Sequence, residues 1–285
     1  MGTDDLGGEG PGPRPPGRVG GWDNGRATGD TLAFAAPEGP KLNAYLVRPS
    51  FSAASGAGRH GVVLAHGFPE ATQRGGSPSY GYPQLATRLA AETGATVLTF
   101  DFRGTGASDG DFSLRGWRAD LEAAIEKVRG VPGVAWVWLV GFAAGGTLCI
   151  CAAGEDTSVA GVAALAPLAE LAEYAGDPRR LVAQARASGL IHSRGFPEDP
   201  SAWSRELEEI QPVRLVAAIP PRPLLIVHGA NDDTVPLTDA RVLADGANAS
   251  AELRVLAGAG HLLLHDPRAI ALVLGWFDRH LGAAQ

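Results

Sequence analysis

Val137-Trp138-Leu139-Val140-Gly141-Phe142-Ala143-Ala144-Gly145-Gly146-Thr147-Leu148 is an apolar run that breaks at a glycine and restarts with small residues. It predicts a strand, a sharp turn and a helix. Gly141 and Gly145 bracket the turn, and residues without a Cβ let the strand and the helix after it pack closely. The side chain at the apex of such a turn stands exposed at the carboxyl end of its strand, where a nucleophile serves best. Here the apex is Ala143, and a methyl group cannot attack a carbonyl.

Outward from this turn the chain alternates short apolar runs with helical periodicity. Strands are predicted at 61–65, 95–100, 135–140, 159–165, 223–228 and 252–256. Helices are predicted at 82–92, 114–129, from 144, from about 238 and at 267–281. Upstream, 31–36 and 42–47 flank the turn formers Pro37, Gly39 and Pro40 and read as an antiparallel hairpin. Strands alternating with helices imply an α/β fold: a mostly parallel sheet covered on both faces, its functional loops at the carboxyl ends of the strands. Residues 1 to about 28 are rich in glycine and proline with little to bury, and are expected to form a flexible tail before a single domain over 29–285. From 166 to 219 the rhythm changes to charged, helix-forming sequence, expected to be a small helical cap insertion. Phe196 and Trp203 within it are candidates to line a substrate pocket.

A length of 285 residues with 45% hydrophobic content suits one α/β domain with a large core. The net charge of −7, without blocks of like charge, argues against a nucleic-acid partner. No stretch reaches the roughly 18 apolar residues of a membrane helix, and no signal-like segment is present, so a cytoplasmic protein without a membrane partner is expected. Cys149 and Cys151 lie two apart on the predicted helix, which makes a disulfide between them implausible. Cys149 is six residues beyond the apex, about 9 Å along a helix, too far to replace the missing nucleophile.

Three further loops follow strands. His66-Gly67-Phe68 offers a backbone N–H beside the turn, which with that of Ala144 could hold an oxyanion. His66 itself is either a rival base at the pocket or a structural hydrogen-bonder of the loop. Asp101-Phe102-Arg103-Gly104-Thr105-Gly106 reads as architectural, because it lacks the third glycine and helix start of a dinucleotide site. Gly229-Ala230-Asn231-Asp232-Asp233-Thr234-Val235-Pro236 presents a carboxylate and Gly260-His261 a histidine. Apex, acid and base follow the chain order of a hydrolytic triad, in which the acid fixes the tautomer of a histidine that takes a proton.

On these motifs the sequence, from about residue 30 onward, resembles the α/β-hydrolase superfamily, in particular its dienelactone-hydrolase-like and serine-aminopeptidase-like branch. The resemblance implies acyl transfer to water from an ester, thioester or amide, with a small-molecule acyl substrate and neither metal nor organic cofactor. It places Ala143 at the nucleophile position, Asp232 as acid and His261 as base, with Asp233 and His265 as near alternatives, and Phe68 and Ala144 in the oxyanion hole. Alanine at the apex leaves three accounts open: replacement of a serine, a natural pseudoenzyme that keeps ligand binding, or water activated directly by Asp232 and His261.

Overall fold

Burial along the central strands decides the layering. In β5 (Trp136–Phe142), Val137 and Leu139 join one apolar core while Trp138 and Val140 join another. Successive side chains leave opposite faces of a strand, so a strand apolar on both faces belongs inside a sheet covered on both sides. The computed structural model describes residues 27–36, 39–49, 59–68, 81–248 and 250–281. Its eight strands form one sheet in the order β1-β2-β4-β3-β5-β6-β7-β8. These are β1 (Ala27–Ala35), β2 (Lys41–Pro49), β3 (His60–Ala65), β4 (Thr96–Phe100), β5, β6 (Val159–Leu165), β7 (Leu224–Gly229) and β8 (Glu252–Leu256). β1 and β2 are antiparallel to their neighbours, and all pairs from β4 to β8 are parallel.

Helices α1 (Tyr82–Thr93) and α8 (Pro267–Leu281) cover one face through Leu85, Leu89, Trp276 and Phe277. Helices α2 (Leu114–Arg129), α3 (Ala144–Glu155) and α7 (Leu237–Gly246) cover the other through Trp117, Leu121, Leu148 and Leu243. No helix among the described residues is long and apolar enough to cross a membrane. The segment between β6 and β7 folds as α4 (Pro178–Ala187), α5 (Pro200–Glu209) and α6 (Pro212–Leu215) with short single turns. Asp177 and Asp199 cap α4 and α5 by accepting backbone N–H groups of their first turns, which explains where those helices begin.

Most element ends fall within one or two residues of the sequence reading, and two of the shifts have a clear physical reason. β1 starts at Ala27, inside the span expected to be tail, because its full length pairs with β2 from Ala27–Pro49 to Ala35–Lys41. An edge strand gains these backbone hydrogen bonds without an apolar alternation to announce it. The rest of the expected tail lies outside the described residues. β5 continues through Gly141 and Phe142, because Gly141 pairs with both Ala65 and Ala164 and Phe142 with Leu165.

The loop after β4 is fixed from beneath. Asp120 of α2, 0% exposed, accepts the Arg103 backbone N–H at 2.9 Å and its guanidinium at 2.7–3.1 Å, while Trp117 Nε1 donates to the Arg103 carbonyl at 3.0 Å. Removing one partner of a buried pair strands the other charge, at a cost of about 3–5 kcal/mol. Arg103→Ala should therefore lower the urea midpoint by that equivalent with an unchanged slope. A loss below about 1 kcal/mol would show that water replaces the guanidinium there.

Candidate active site

The turn between β5 and α3 holds Ala143 at φ 47° and ψ −122°, a backbone conformation that L-residues rarely adopt. Such a residue costs on the order of 1–3 kcal/mol and persists only where its surroundings over-determine it. Here the Ala143 N–H donates to the Leu165 carbonyl at 2.8 Å, and the Ala143 carbonyl accepts the Thr147 N–H at 3.0 Å. The flanking glycines answer to close approach. A Cβ on Gly145 would collide with the carbonyl of His66, and one on Gly67 would lie 2.9 Å from the Ala143 Cβ and 3.0 Å from the Phe142 carbonyl oxygen. The loop after β3 is thus pressed directly against the apex.

That contact brings Phe68 beside Ala143, and both line one cavity. The Ala144 N–H opens α3, at the positive end of the helix dipole. Neither it nor the Phe68 N–H has an acceptor among the described residues. The ring of His66 is spent on holding the loop. Its Nδ1 meets the Gly67 carbonyl at 2.6 Å, its Nε2 accepts the Phe102 N–H at 3.2 Å, and it is 1% exposed. Burial lowers its pKa, against the opposing influence of the Gly67 carbonyl and the Asp101 charge, so it stays neutral. His66 therefore neither lines the cavity nor offers a free nitrogen, and of its two sequence readings only the structural one fits. Tyr82 closes the other side of the loop, its buried phenol hydrogen-bonded to the Gly67 backbone and its pKa pushed up by burial.

On the opposite wall the loops after β7 and β8 meet. His261 Nδ1 lies 2.9 Å from Asp232 Oδ2. Asp232 Oδ1 accepts the Thr234 and Val235 N–H groups at 2.9 and 2.8 Å, which locks a carboxylate whose side chain is 0% exposed. With Nδ1–H donated to the carboxylate, the lone pair of the imidazole sits on Nε2. The near alternatives do not pair this way. Asp233 accepts only the Thr234 hydroxyl, at 3.3 Å, and His265 lines the cavity without reaching Asp232. Sequence reasoning missed His228, fully buried on β7, whose Nε2 lies 3.0 Å from the Val235 carbonyl and 3.5 Å from Asp232 Oδ2. Its position directly before Gly229 in the acid loop was the available signal. Cys149 and Cys151 are buried, with thiol pKa values raised chiefly by burial, and neither borders the cavity.

The cavity measures about 1150 Å³ and contains Ala143 and His261 in one lining. The segment 166–219 supplies much of its apolar wall, including Leu171, Leu181, Ala185, Leu190 and Leu207. Phe196 and Trp203, expected to line it, do not. Trp203 is 4% exposed, with Nε1 donating to the Phe112 carbonyl at 2.9 Å and its ring edge-on to Phe112, so it buttresses a residue that does face the cavity. The Phe196 carbonyl is used as an acceptor by Arg186. No group of three or more His, Cys, Asp or Glu able to hold a metal ion occurs among the described residues.

The sequence profile of the alpha/beta hydrolase family matches residues 62–272. The uncharacterized protein YfhR of Salmonella typhi is 25% identical over 227 residues, 76% of this chain and 69% of that one. The E. coli O157:H7 protein of the same name is 27% identical over 209 residues, 73% and 64% of the two chains. In fold the chain is similar to the alpha/beta hydrolase GrgF from Penicillium sp. sh18 (23% identity, 89% and 99% of the two chains covered, TM-score 0.64). It is also similar to Est1E from Butyrivibrio proteoclasticus with ferulic acid bound (22% identity, 87% and 96% covered, TM-score 0.65).

The neutrality of His66 has a pH signature. Its folded pKa lies below the unfolded 6.5, so its contribution to stability is fully present above that value and is lost as pH falls towards the folded pKa, where the unfolded chain takes up the proton first. Stability should decline as the pH falls from about 7 through the unfolded value of 6.5 and below. His66→Gln, which keeps one donor and one acceptor, should flatten that decline in urea midpoints. His60, whose pKa burial also lowers, would supply a residual slope. An unchanged slope in His66→Gln would assign the effect elsewhere.

Proposed function

Because this chain belongs to the alpha/beta hydrolase family, we propose that its cavity is an acyl-hydrolase site that retains carbonyl recognition and the acid–base pair and lacks only the attacking hydroxyl. The substrate class is a small carboxylic ester, thioester or amide with a largely apolar acyl group. One observation carries this reading. Ala143, at φ 47°, shares a cavity with a histidine whose Nδ1 is 2.9 Å from a buried carboxylate. A strained non-glycine apex, two N–H groups without acceptors among the described residues and an oriented imidazole are the parts of acyl-enzyme chemistry, each with its own role.

In this reading the carbonyl oxygen is held by the Phe68 and Ala144 N–H groups. His261 Nε2 faces the carbonyl carbon, and Asp232 keeps the proton on Nδ1 and orients the ring. The wall from segment 166–219 excludes water and takes the acyl group, with Phe68 and Phe112 offering aromatic surface at the site. As it stands, the protein binds such compounds without forming an acyl-enzyme. The ferulic acid bound to Est1E makes an aromatic acyl group a suitable member of a test panel.

Loss of the nucleophile from a working triad costs on the order of 10⁶ in turnover. Ala143→Ser should accordingly raise hydrolysis of p-nitrophenyl acetate and aryl-acyl thioesters by several orders of magnitude, with a pre-steady-state burst. The double change Ala143→Ser with His261→Ala should abolish the gain. A folded Ala143→Ser protein that stays inert across the panel would refute the reading. Strong ester hydrolysis by the parent, dependent on His261, would instead assign attack to water activated by Asp232 and His261.

A further inference from the structure

With alanine at the apex, the site keeps a base and an anion hole with no competing nucleophile between them. His261 carries its lone pair on Nε2, because Nδ1–H is given to Asp232 Oδ2 at 2.9 Å, and no described residue bonds to Nε2. Its side chain is 20% exposed and borders the same cavity as Ala143. In an elbow bearing serine, the hydroxyl would stand in front of this nitrogen and be deprotonated by it. Beside a methyl group the space facing Nε2 admits a substrate carbon instead. A carbonyl oxygen held by the Phe68 and Ala144 amides would leave its α-carbon, one bond from the carbonyl carbon, in the cavity that Phe68, Ala143 and His261 share. The surrounding wall is apolar, with Leu168, Leu171, Leu181 and Leu190, which strengthens the electrostatic interactions of a developing charge. His66 cannot serve as this base, since both its nitrogens are engaged in the loop.

We propose that the protein as it stands is a carbon-acid catalyst: His261 removes a proton α to the carbonyl of a bound aryl-substituted ketone or thioester, and the resulting enolate oxygen is held by Phe68 and Ala144. The proposal rests on the reading of these two amides as a carbonyl-binding hole. In the step, the α C–H bond breaks, its proton goes to Nε2, and its electron pair forms the C=C bond of the enolate while the C=O pair moves onto oxygen. Return of a proton from the imidazolium to carbon restores the carbonyl, so exchange or double-bond migration proceeds with no oxidant, reductant or second substrate. His261 is the catalytic residue, and Asp232 is a positioning residue that fixes its tautomer.

Phenylacetone in heavy water is the probe, because a ketone cannot be hydrolysed and its loss of methylene proton signal reports proton abstraction alone. A positioned base contributes about 10²–10⁴-fold. The parent should therefore exchange the methylene protons faster than His261→Ala by about that factor, and added imidazole should restore part of the rate to His261→Ala. Ala143→Ser should lose exchange towards the His261→Ala level, since its hydroxyl takes the place facing Nε2. Exchange by the parent no faster than by His261→Ala overturns the proposal. If Ala143→Ser then hydrolyses p-nitrophenyl acetate with a burst, only the carbon-acid activity falls and the acyl-site reading stands. If Ala143→Ser is inert as well, both fall together.

Discussion

The site depends on one backbone constraint, the positive φ of Ala143. A methyl-bearing residue at φ 47° and ψ −122° is unfavourable by itself, and it is held there by hydrogen bonds to β6 and to the first turn of α3. From this kink follow the exposed direction of the apex Cβ, an Ala144 N–H without an acceptor among the described residues, and the start of α3 at the end of β5. The same kink requires three backbones to converge, which explains why Gly145 faces the carbonyl of His66 and why Gly67 sits against Ala143. Strain of this kind is maintained where it positions something, and here it sets Ala143 in the lining of the cavity that His261 also borders.

The second support is a nested set of hydrogen bonds that leaves each titratable group one role. His66 is surrounded by acceptor and donor backbone groups and by the rings of Phe102, Trp117 and Tyr82, which keep it neutral and fix the Phe68 loop. Asp232 has one oxygen saturated by two backbone N–H groups and the other directed at His261, with His228 close behind. Two histidines of one small site are thereby separated by environment, one buried and structural, the other at the cavity with an Nε2 that no described residue bonds.

Most of the architecture was legible in the sequence because the strands are continuous apolar runs between glycine-rich turns, and the apex, acid and base stand at strand ends in a fixed order. Ala143, Asp232 and His261 could be located this way without knowing which strands pair. Side-chain direction inside an irregular segment has no such periodic signal. Trp203 and Phe196 were sensible aromatic candidates over the site, yet Trp203 turns inward to satisfy its indole N–H on the Phe112 carbonyl, and leucines of α4 and its neighbours take the wall. His228 was hidden for a related reason: a fully buried polar side chain at the end of an apolar strand reads as part of the strand until its partners are known. β1 extended into sequence that looked like tail because edge pairing is a backbone property.

The most direct measurement of the central claim is a crystal structure of the Ala143→Ser protein with an aryl trifluoromethyl ketone, whose adduct mimics the tetrahedral intermediate. The account predicts a covalent bond from the new hydroxyl to the ketone carbon, with its oxygen about 2.7–3.1 Å from the Phe68 and Ala144 nitrogens. It also predicts His261 Nε2 within hydrogen-bond reach of the new ether oxygen. An adduct oxygen directed away from both amides, or His261 turned out of the cavity and parted from Asp232, would contradict it.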